Sequence, residues 1–170
     1  MMDLPNGKKT ELGLYLTAVE AYEFIKKVGN DFLFIDVRTQ AEIAFVGVPT
    51  VIDANVPYEV ITDWNQWDEK EKIFKMTVNG NFVSAVESRL MEKNLDKQSP
   101  IIFMCRSGFR SASAVNLLAK SGYKNVYHLI DGFEGDKALN GPKQGQRVVD
   151  GWKNSDLPWT DQLEKAKMYL

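Results

Sequence analysis

The sequence predicts a single α/β domain with a mostly parallel central sheet flanked by helices, and three observations predict it. Short apolar runs typical of buried strands alternate along the chain with helical segments, which is the order that builds parallel sheets. The length of 170 residues fits one domain better than two. The composition, 44% hydrophobic and 26% charged, is that of an ordinary globular protein.

The pattern of residues 14–56 predicts three strands and one helix. Thr17 and Glu20 have the spacing of a capping box, which begins a helix. Gly29 follows the helical pattern and is placed to end it. The strands are predicted from short runs of apolar residues at 14–16, 32–36 and 51–56.

The second part of the chain alternates helix and strand twice. A helix is predicted at 82–95, a strand at 101–104, a helix at 111–120 and a strand at 126–130. Gly122 is placed to end the second of these helices. We expect one domain at 14–160, with longer inserts at about 58–81 and 141–151 and with terminal tails at 1–13 and 161–170.

Charge and hydropathy argue against two classes of partner. The net charge of −2 and the pI near 5.5 show no basic excess, so neither nucleic acid nor an anionic membrane is expected to bind. No apolar run approaches the roughly 20 residues that span a bilayer. The first ten residues show no export signal. We therefore expect a cytoplasmic protein, or a periplasmic one if a signal was removed from the chain.

Cysteine and histidine occur once each, at Cys105 and His128. One residue of each kind gives no spacing for a metal site, and we expect neither a metal nor a cofactor. A lone cysteine is either a buried structural residue or a reactive thiol. For His128 we expect a partly buried core position rather than a role as a ligand.

The surroundings of Cys105 favour a reactive thiol. Cys105 follows the predicted strand 101–104, and ligands of parallel sheets bind beyond the carboxyl ends of the strands. A short loop before a helix can turn its N–H groups around an anion, the helix N-terminus adds roughly half a positive charge, and Gly108 allows tight folding. Together with two arginines, these features favour the thiolate, the nucleophilic form of cysteine. The predicted anion-binding residues are Arg106, Ser107, Gly108, Phe109, Arg110 and Ser111.

Other charged side chains have predicted supporting roles at this loop. Asp36 ends a strand and Arg38 follows it. We interpret both as structural, in an ion pair or a loop brace, for instance between Arg38 and Glu42. Arg106 is expected to point into the mouth of the pocket. Arg110 is expected to brace the loop by bonding to the backbone or to a carboxylate such as Asp36.

The first insert carries two tryptophans, Trp64 and Trp67. We interpret them as packing for the insert, with a substrate rim or a partner surface as the alternative. The charged run at 68–75 is expected to be a solvated face.

The segment CRSGFRS, Cys105 to Ser111, resembles the active loop of rhodanese-type domains, which has the form CRSGxR before a Ser/Ala-rich helix. Upstream, Asp36–Arg38 with Glu42 and Phe45 is similar to the DVR…E…F segment of that family. The chain departs from the family pattern after Gly47, where valine stands in place of the usual histidine. Further similar segments lie at 47–57, 122–133 and 152–159, so that the resemblance covers about residues 14 to 160.

The resemblance implies a rhodanese-like three-layer fold and a sulfurtransferase of the thiosulfate:cyanide type. In such an enzyme Cys105 would take sulfane sulfur from thiosulfate or a polysulfide and carry it as a persulfide. It would pass the sulfur to cyanide in vitro, and to a small thiol or a protein acceptor in the cell. The physiological donor, the acceptor and the oligomeric state stay open.

Two other functions remain as alternatives. A non-catalytic sulfur carrier or protein-docking module would have the same loop without turnover of thiosulfate. The related phosphatase and arsenate reductase folds place one residue more between cysteine and arginine than the four that separate Cys105 from Arg110. The smaller cradle fits sulfane sulfur better than a tetrahedral oxyanion, which favours sulfur transfer.

Overall fold

The computed structural model describes residues 4–170, which form four α-helices and eleven short strands. None of these helices is long and apolar enough to cross a membrane. The helices are α1 (Ala18–Val28), α2 (Gln40–Val46), α3 (Phe82–Glu92) and α4 (Phe109–Lys120). The strands are β1 (Tyr15–Leu16), β2 (Leu33–Asp36), β3 (Val48–Pro49), β4 (Ala54–Asn55), β5 (Glu59–Val60), β6 (Trp67–Asp68), β7 (Ile73–Phe74), β8 (Thr77–Val78), β9 (Ile101–Met104), β10 (Val126–Leu129) and β11 (Trp159–Thr160).

Five of the strands form one parallel sheet in the order β1-β10-β9-β2-β4. Successive residues of a strand point to opposite faces of a sheet, and the buried strands divide their side chains accordingly. Ile35 and Phe103 pack with α3 and α4 on one face, whereas Phe34 and Ile102 pack with α1 and α2 on the other. Helices therefore cover both faces of the sheet, and the predicted α/β fold class is confirmed.

Local sequence signals account for the first two helices. The predicted capping box at α1 is present: the Thr17 hydroxyl accepts from the Glu20 N–H at 3.2 Å, and the Glu20 carboxylate accepts from the Thr17 N–H at 2.8 Å. Thr39 and Glu42 form the same reciprocal pair at α2, a short helix that the prediction did not include. The second capping box fixes Glu42 at a point from which its carboxylate reaches Arg110 of α4.

Three predicted boundaries are wrong. Helix α4 begins at Phe109 rather than near Ser111, because Gly108, with φ of 94°, turns the chain into the helix earlier. The strand predicted at 51–56 is reduced to β4, because it pairs only with the last two residues of β2. The helix predicted at 82–95 ends at Glu92, since Asn94 adopts the left-handed conformation with φ of 57°.

The first insert is more regular than its sequence indicates. It contains two antiparallel pairs, β5 with β8 and, inside them, β6 with β7. Trp67 lies opposite Phe74 across the inner pair, with 5.2 Å between the ring centroids. The Trp64 ring contacts the same Phe74 at 5.1 Å. Both tryptophans therefore contact one shared phenylalanine within the insert, and both remain exposed.

Both segments that we predicted as tails contact the domain. Lys8 is buried, and its Nζ donates to Ile130 O at 3.2 Å and to the Asp136 carboxylate at 2.7 Å. Near the other end, Arg89 Nη2 donates to Met168 O at 2.8 Å. The described part of each end is thus held by hydrogen bonds to residues distant in the sequence.

Asp36 and Arg38 form a fully buried ion pair at the carboxyl end of β2. Arg38 Nη2 lies 2.6 Å from Asp36 Oδ2 and donates to Gly47 O at 2.8 Å, while the guanidinium lies 4.2 Å from the Phe133 ring centroid. The contacts fit the structural interpretation, but the predicted pairing of Arg38 with Glu42 is wrong. The chain turns so sharply after β2 that the Arg38 N–H also donates to Asp36 Oδ1, at 3.0 Å.

We predict that Arg38→Met lowers the free energy of unfolding by about 3–5 kcal/mol, because it leaves the Asp36 carboxylate buried without a counter-charge. Urea denaturation measures this difference. Lys26→Met is the matched control, since Lys26 forms an exposed ion pair with Glu23 on α1 and should contribute less than about 1 kcal/mol. Equal losses in the two variants would contradict the assignment of the buried pair as a stabilising brace.

Candidate active site

Cys105 directly follows β9 and lies at the carboxyl end of the central sheet, where its side chain is buried. Its Sγ accepts a hydrogen bond from the Gly108 N–H at 3.2 Å. The Ser111 hydroxyl lies 3.3 Å from the same sulfur and 3.2 Å from Gly108 O, so its single hydrogen can be donated to either atom. The loop and the first turn of α4 thus place two hydrogen-bond donors beside one sulfur atom.

The loop also contains donors without a protein acceptor. Within residues 4–170, no backbone carbonyl accepts a hydrogen bond from the N–H groups of residues 106, 107 and 109–111. The last three of these belong to the first turn of α4, whose N–H groups point beyond the helix N-terminus and attract anions. The backbone of this loop can therefore hold an anionic ligand.

Gly108 is required at the tightest point of the loop. Its φ of 94° is a conformation that side chains with a Cβ rarely adopt. A Cβ at this position would lie 2.3 Å from Ile130 O, well inside contact distance. Glycine at this position thus permits both the left-handed turn and the close approach of the backbone of Ile130, which directly follows β10.

His128 supports the active loop through a hydrogen bond to the Gly108 carbonyl. Its Nε2 lies 2.7 Å from Gly108 O, and because a carbonyl oxygen only accepts, Nε2 carries the hydrogen. Burial lowers the pKa of His128 to about 4, because it outweighs the hydrogen bond to Gly108, which raises the pKa, and the nearby charge of Lys8 lowers it further. The ring is therefore neutral at pH 7. The predicted core position is correct, and the ring is fully buried. The contact with the loop follows from the pairing of β10 beside β9.

Arg110 reaches back from α4 and forms a bidentate ion pair with Glu42, with 2.7 Å between Nη1 and Oε2. Burial raises the pKa of the Glu42 carboxyl, but the hydrogen bond and charge of Arg110 and the bonds from Thr39 lower it further, to about 2. Burial lowers the pKa of Arg110, and Glu42 reverses this effect, so the net direction is upward. A bracing contact is present, but the partner predicted for Arg110 is wrong, because Asp36 is already paired with Arg38.

Arg106 lies half exposed at the mouth of the site, with its Nε 2.9 Å from Glu134 Oε2. Arg106 is one of the residues that line the cavity over Cys105. Its carbonyl accepts from the Glu134 N–H at 3.0 Å, and the Cys105 carbonyl accepts from the Phe133 N–H at 2.8 Å. The segment after β10 therefore supports the loop along its backbone.

A cavity of about 590 Å³ opens over Cys105. Its walls come from the start of α2, from the active loop with Ser107 and Phe109, and from the first insert. The second insert contributes Arg147, whose Nη1 donates to Gly135 O at 2.6 Å. No sequence signal identified Arg147, because its segment has the composition of a surface loop and the contact depends on how that loop folds back.

The site combines a sulfur nucleophile, N–H donors for an anion and positive charge at the mouth. Donors fixed in this way stabilise negative charge that develops during a reaction. Asp36 and Arg38 do not line the cavity, so the structure gives them a supporting position. Among the described residues, no three His, Cys, Asp or Glu side chains are grouped so that they could hold a metal ion.

Comparisons with known proteins agree with this geometry. The family model of the rhodanese-like domain matches residues 17–139. An uncharacterized protein of Rickettsia prowazekii, RP600, is 36% identical over 146 residues, which cover 85% of this chain and 94% of that protein. The thiosulfate sulfurtransferase GlpE of Coxiella burnetii is 33% identical over 123 residues, which cover 72% of this chain and 86% of that protein. The crystal structure of Rv0390 from M. tuberculosis is 28% identical, with a TM-score of 0.62 over 87% of this chain and 97% of that chain.

We predict that Glu42→Gln lowers stability at pH 7 by about 3 kcal/mol, since the carboxyl is ionised in the folded protein down to a pKa of about 2. A carboxyl with a lowered pKa contributes stability above its unfolded pKa, near 4.5, and loses that contribution as the pH falls toward 2. Stability measured by urea denaturation between pH 7 and pH 2 should therefore fall less steeply in the variant.

Glu23→Gln serves as the control, because Glu23 lies in an exposed ion pair on α1. It should leave the pH dependence close to that of the unmodified protein. If Glu42→Gln and the unmodified protein lost stability in parallel below pH 4.5, the ion pair with Arg110 would not be the group that titrates.

Proposed function

The chain belongs to the rhodanese-like domain family, and we propose that it is a sulfurtransferase that carries sulfane sulfur on Cys105. One observation carries the proposal: the Sγ of the single cysteine lies in a loop whose Gly108 N–H donates to it at 3.2 Å. The N–H groups of residues 106, 107 and 109–111, which have no backbone acceptor within residues 4–170, follow Cys105 directly in the sequence. A persulfide ends in an anionic sulfur, which such donors stabilise. The similarity to a thiosulfate sulfurtransferase of Coxiella burnetii supports the same chemistry.

The proposed reaction is a double displacement. The Cys105 thiolate attacks the outer sulfur of thiosulfate; a sulfur–sulfur bond forms to Cys105, the sulfur–sulfur bond of the donor breaks, and sulfite leaves with the electron pair. An acceptor, cyanide in vitro or a thiolate, then attacks the outer sulfur of the persulfide. Cys105 leaves as the thiolate, and no oxidant or reductant is consumed. A polysulfide donor would react in the same way.

The arginines divide their roles in this proposal. Arg110 is committed to Glu42 in a bidentate pair, so it positions the loop rather than binding the donor through its side chain. Arg106 is half exposed and shares its charge with Glu134. Its guanidinium can therefore donate a charge-assisted hydrogen bond to thiosulfate at the mouth of the cavity, which contributes about 1.5–3 kcal/mol. Ser107 and Phe109 shape the entrance, and the backbone of residues 106–111 holds the sulfur anion.

We predict that incubation with thiosulfate adds one sulfur atom to the intact protein, that cyanide removes it and that thiocyanate forms over many turnovers. Mass spectrometry and thiocyanate assays measure the two steps. Cys105→Ser should show neither the adduct nor thiocyanate while keeping the circular dichroism spectrum and the melting temperature of the unmodified protein.

The outcomes separate the competing functions. Thiocyanate formation by Cys105→Ser would contradict the proposed mechanism. An adduct that forms once on the unmodified protein, without turnover, would instead identify a sulfur carrier or docking module.

A further inference from the structure

We propose that Lys8 is a positioning residue of the active site, whose buried ammonium brings positive charge to the active loop and so favours anionic sulfur donors at Cys105. The inference rests on the proposed sulfur transfer and adds a residue that lies outside the loop and its cavity. Three features carry it: the burial of Lys8, its contacts with residues that shape the loop, and the greater solvent exposure of its counter-charge.

The burial of Lys8 is unusual for a lysine. Lysine side chains are almost never fully buried, because the ammonium loses its hydration there. Lys8 ends a short 3-10 helix (Asn6–Lys8), and only 4% of the residue is exposed. The segment that follows is fixed on α4, where the Asn116 side-chain oxygen accepts from the Glu11 N–H at 2.8 Å. The N-terminal segment is therefore anchored so that it holds an ammonium inside the domain.

Lys8 contacts the residues that shape the active loop. Its Nζ donates to Ile130 O at 3.2 Å, the carbonyl that would lie 2.3 Å from a Cβ on Gly108. The same Cβ would lie 3.1 Å from Lys8 Cδ, so the lysine packs against the glycine whose N–H donates to Cys105 Sγ. Its Nζ also lies 5.4 Å from the ring centroid of Phe109, the first residue of α4. The ammonium thus lies beside the tightest turn of the loop.

The counter-charge of Lys8 is more exposed than the lysine itself. Nζ lies 2.7 Å from Asp136 Oδ2, and the two side chains are 5% and 42% exposed. Water screens an exposed charge much more than a buried one, so the carboxylate does not cancel the ammonium at the loop. Asp131 also lies within the field of Lys8, but its carboxylate accepts from the Ala18 N–H at 2.8 Å, at the start of α1.

The ion pairs of the two loop arginines are arranged differently. The side chains of Arg110 and Glu42 are exposed to similar extents, 15% and 24%. Arg106 is more exposed than its partner Glu134, at 47% against 18%. Among the described ion pairs at the loop, the pair of Lys8 is therefore the one in which the cation is deeply buried and the carboxylate is open to water.

His128 indicates that the charge of Lys8 reaches the loop. Its Nε2 donates to Gly108 O at 2.7 Å. The pKa of His128 is lowered to about 4, chiefly by burial, and the charge of Lys8 adds to this lowering against the opposing effect of the Gly108 hydrogen bond. The neutral ring brings no positive charge of its own, so the buried positive charge on this side of the loop is that of Lys8.

A fixed charge in this place assists the proposed reaction. Thiosulfate is a dianion and the attacking thiolate is itself negative, so the two repel one another as they approach. A positive charge held beside the loop lowers this repulsion without contacting the donor, and it needs no rearrangement during the reaction. Lys8 therefore acts through its field and through the backbone that it supports.

The test compares the alkylation of Cys105 by iodoacetate, which is negative, with alkylation by iodoacetamide, which is neutral and similar in size. Both reagents consume the same thiolate, so the ratio of their rate constants is independent of the thiolate fraction. A change in access to the sulfur affects both reagents alike. The ratio is measured on the full chain at fixed pH and ionic strength and is divided by the ratio for N-acetylcysteine.

We expect Lys8→Met to lower the ratio by about threefold, the order expected when one buried charge near the reacting group is removed. Lys8→Arg keeps the charge and should keep the ratio. Asp136→Asn should raise the ratio, because it removes the counter-charge and leaves Lys8 in place. Lys9→Met is the matched control, since Lys9 is the next residue and is exposed, so the ratio should stay unchanged.

The rate of sulfur uptake from thiosulfate should fall in Lys8→Met by at least the same factor, because thiosulfate carries two negative charges. Intact mass against time measures this rate. A lysine that only braced the fold would lower the melting temperature in Lys8→Met and in Asp136→Asn and would leave the alkylation ratio unchanged in both variants.

An unchanged ratio in folded Lys8→Met or in Asp136→Asn overturns the inference, and so does unchanged sulfur uptake in folded Lys8→Met. Asp136→Asn alters a partly exposed side chain and keeps the bond from Lys8 to Ile130 O, so the test remains if Lys8→Met does not fold. Alkylation requires no sulfur transfer. A ratio that responds as expected in a protein that takes up no sulfur therefore overturns the sulfurtransferase proposal, and with it the role of Lys8 toward sulfur donors, whereas sulfur uptake with an unresponsive ratio overturns the role of Lys8 alone.

Discussion

The geometry of the active loop depends on the left-handed conformation of Gly108 and on the hydrogen bond that His128 donates to its carbonyl at 2.7 Å. The turn at Gly108 starts α4 at Phe109, only four residues after Cys105. It also directs the Gly108 N–H to the Cys105 sulfur. A residue with a Cβ could not occupy this position, because the backbone of Ile130 lies against it. The histidine thus supports the site as a buried, neutral donor, without acting as a base.

Two ion pairs distribute charge around this loop. Asp36 and Arg38 neutralise one another inside the domain, and Glu42 neutralises much of the charge of Arg110 while joining α2 to α4. Among the described residues that line the cavity, the positive charge left for a ligand comes from the loop N–H groups, from Arg106 at the mouth, from Arg147 of the second insert and from Lys72 of the first insert, whose ion pair with Glu69 is exposed. This arrangement separates residues that shape the loop from residues that can meet a substrate. It also explains how a chain with net charge of −2 offers a local site for anions.

The sequence was sufficient to predict the features that depend on local pattern. The parallel sheet follows from the alternation of strands and helices, the start of α1 from Thr17 and Glu20, and the anion-holding loop from the residues after Cys105. The contacts that it could not predict join distant segments, such as Arg110 with Glu42, 68 residues apart, and Lys8 with Asp136, 128 residues apart. A charged side chain has several partners of suitable sign in the sequence, and only the packing of the helices selects among them. For the same reason the place of Arg147 in the cavity wall had no signature in the sequence, and a substrate rim for Trp67 was only the alternative to packing of the insert.

A crystal structure of the protein soaked in thiosulfate tests the central claim most directly, namely that the loop after β9 holds sulfur on Cys105. The account predicts a second sulfur bonded to Cys105 Sγ and enclosed by the loop. The added sulfur should lie within hydrogen-bonding distance of N–H groups between residues 106 and 111, with Gly108 still in its left-handed conformation. An unmodified cysteine with intact thiosulfate in the cavity would contradict the account. So would an added sulfur that points away from the loop N–H groups.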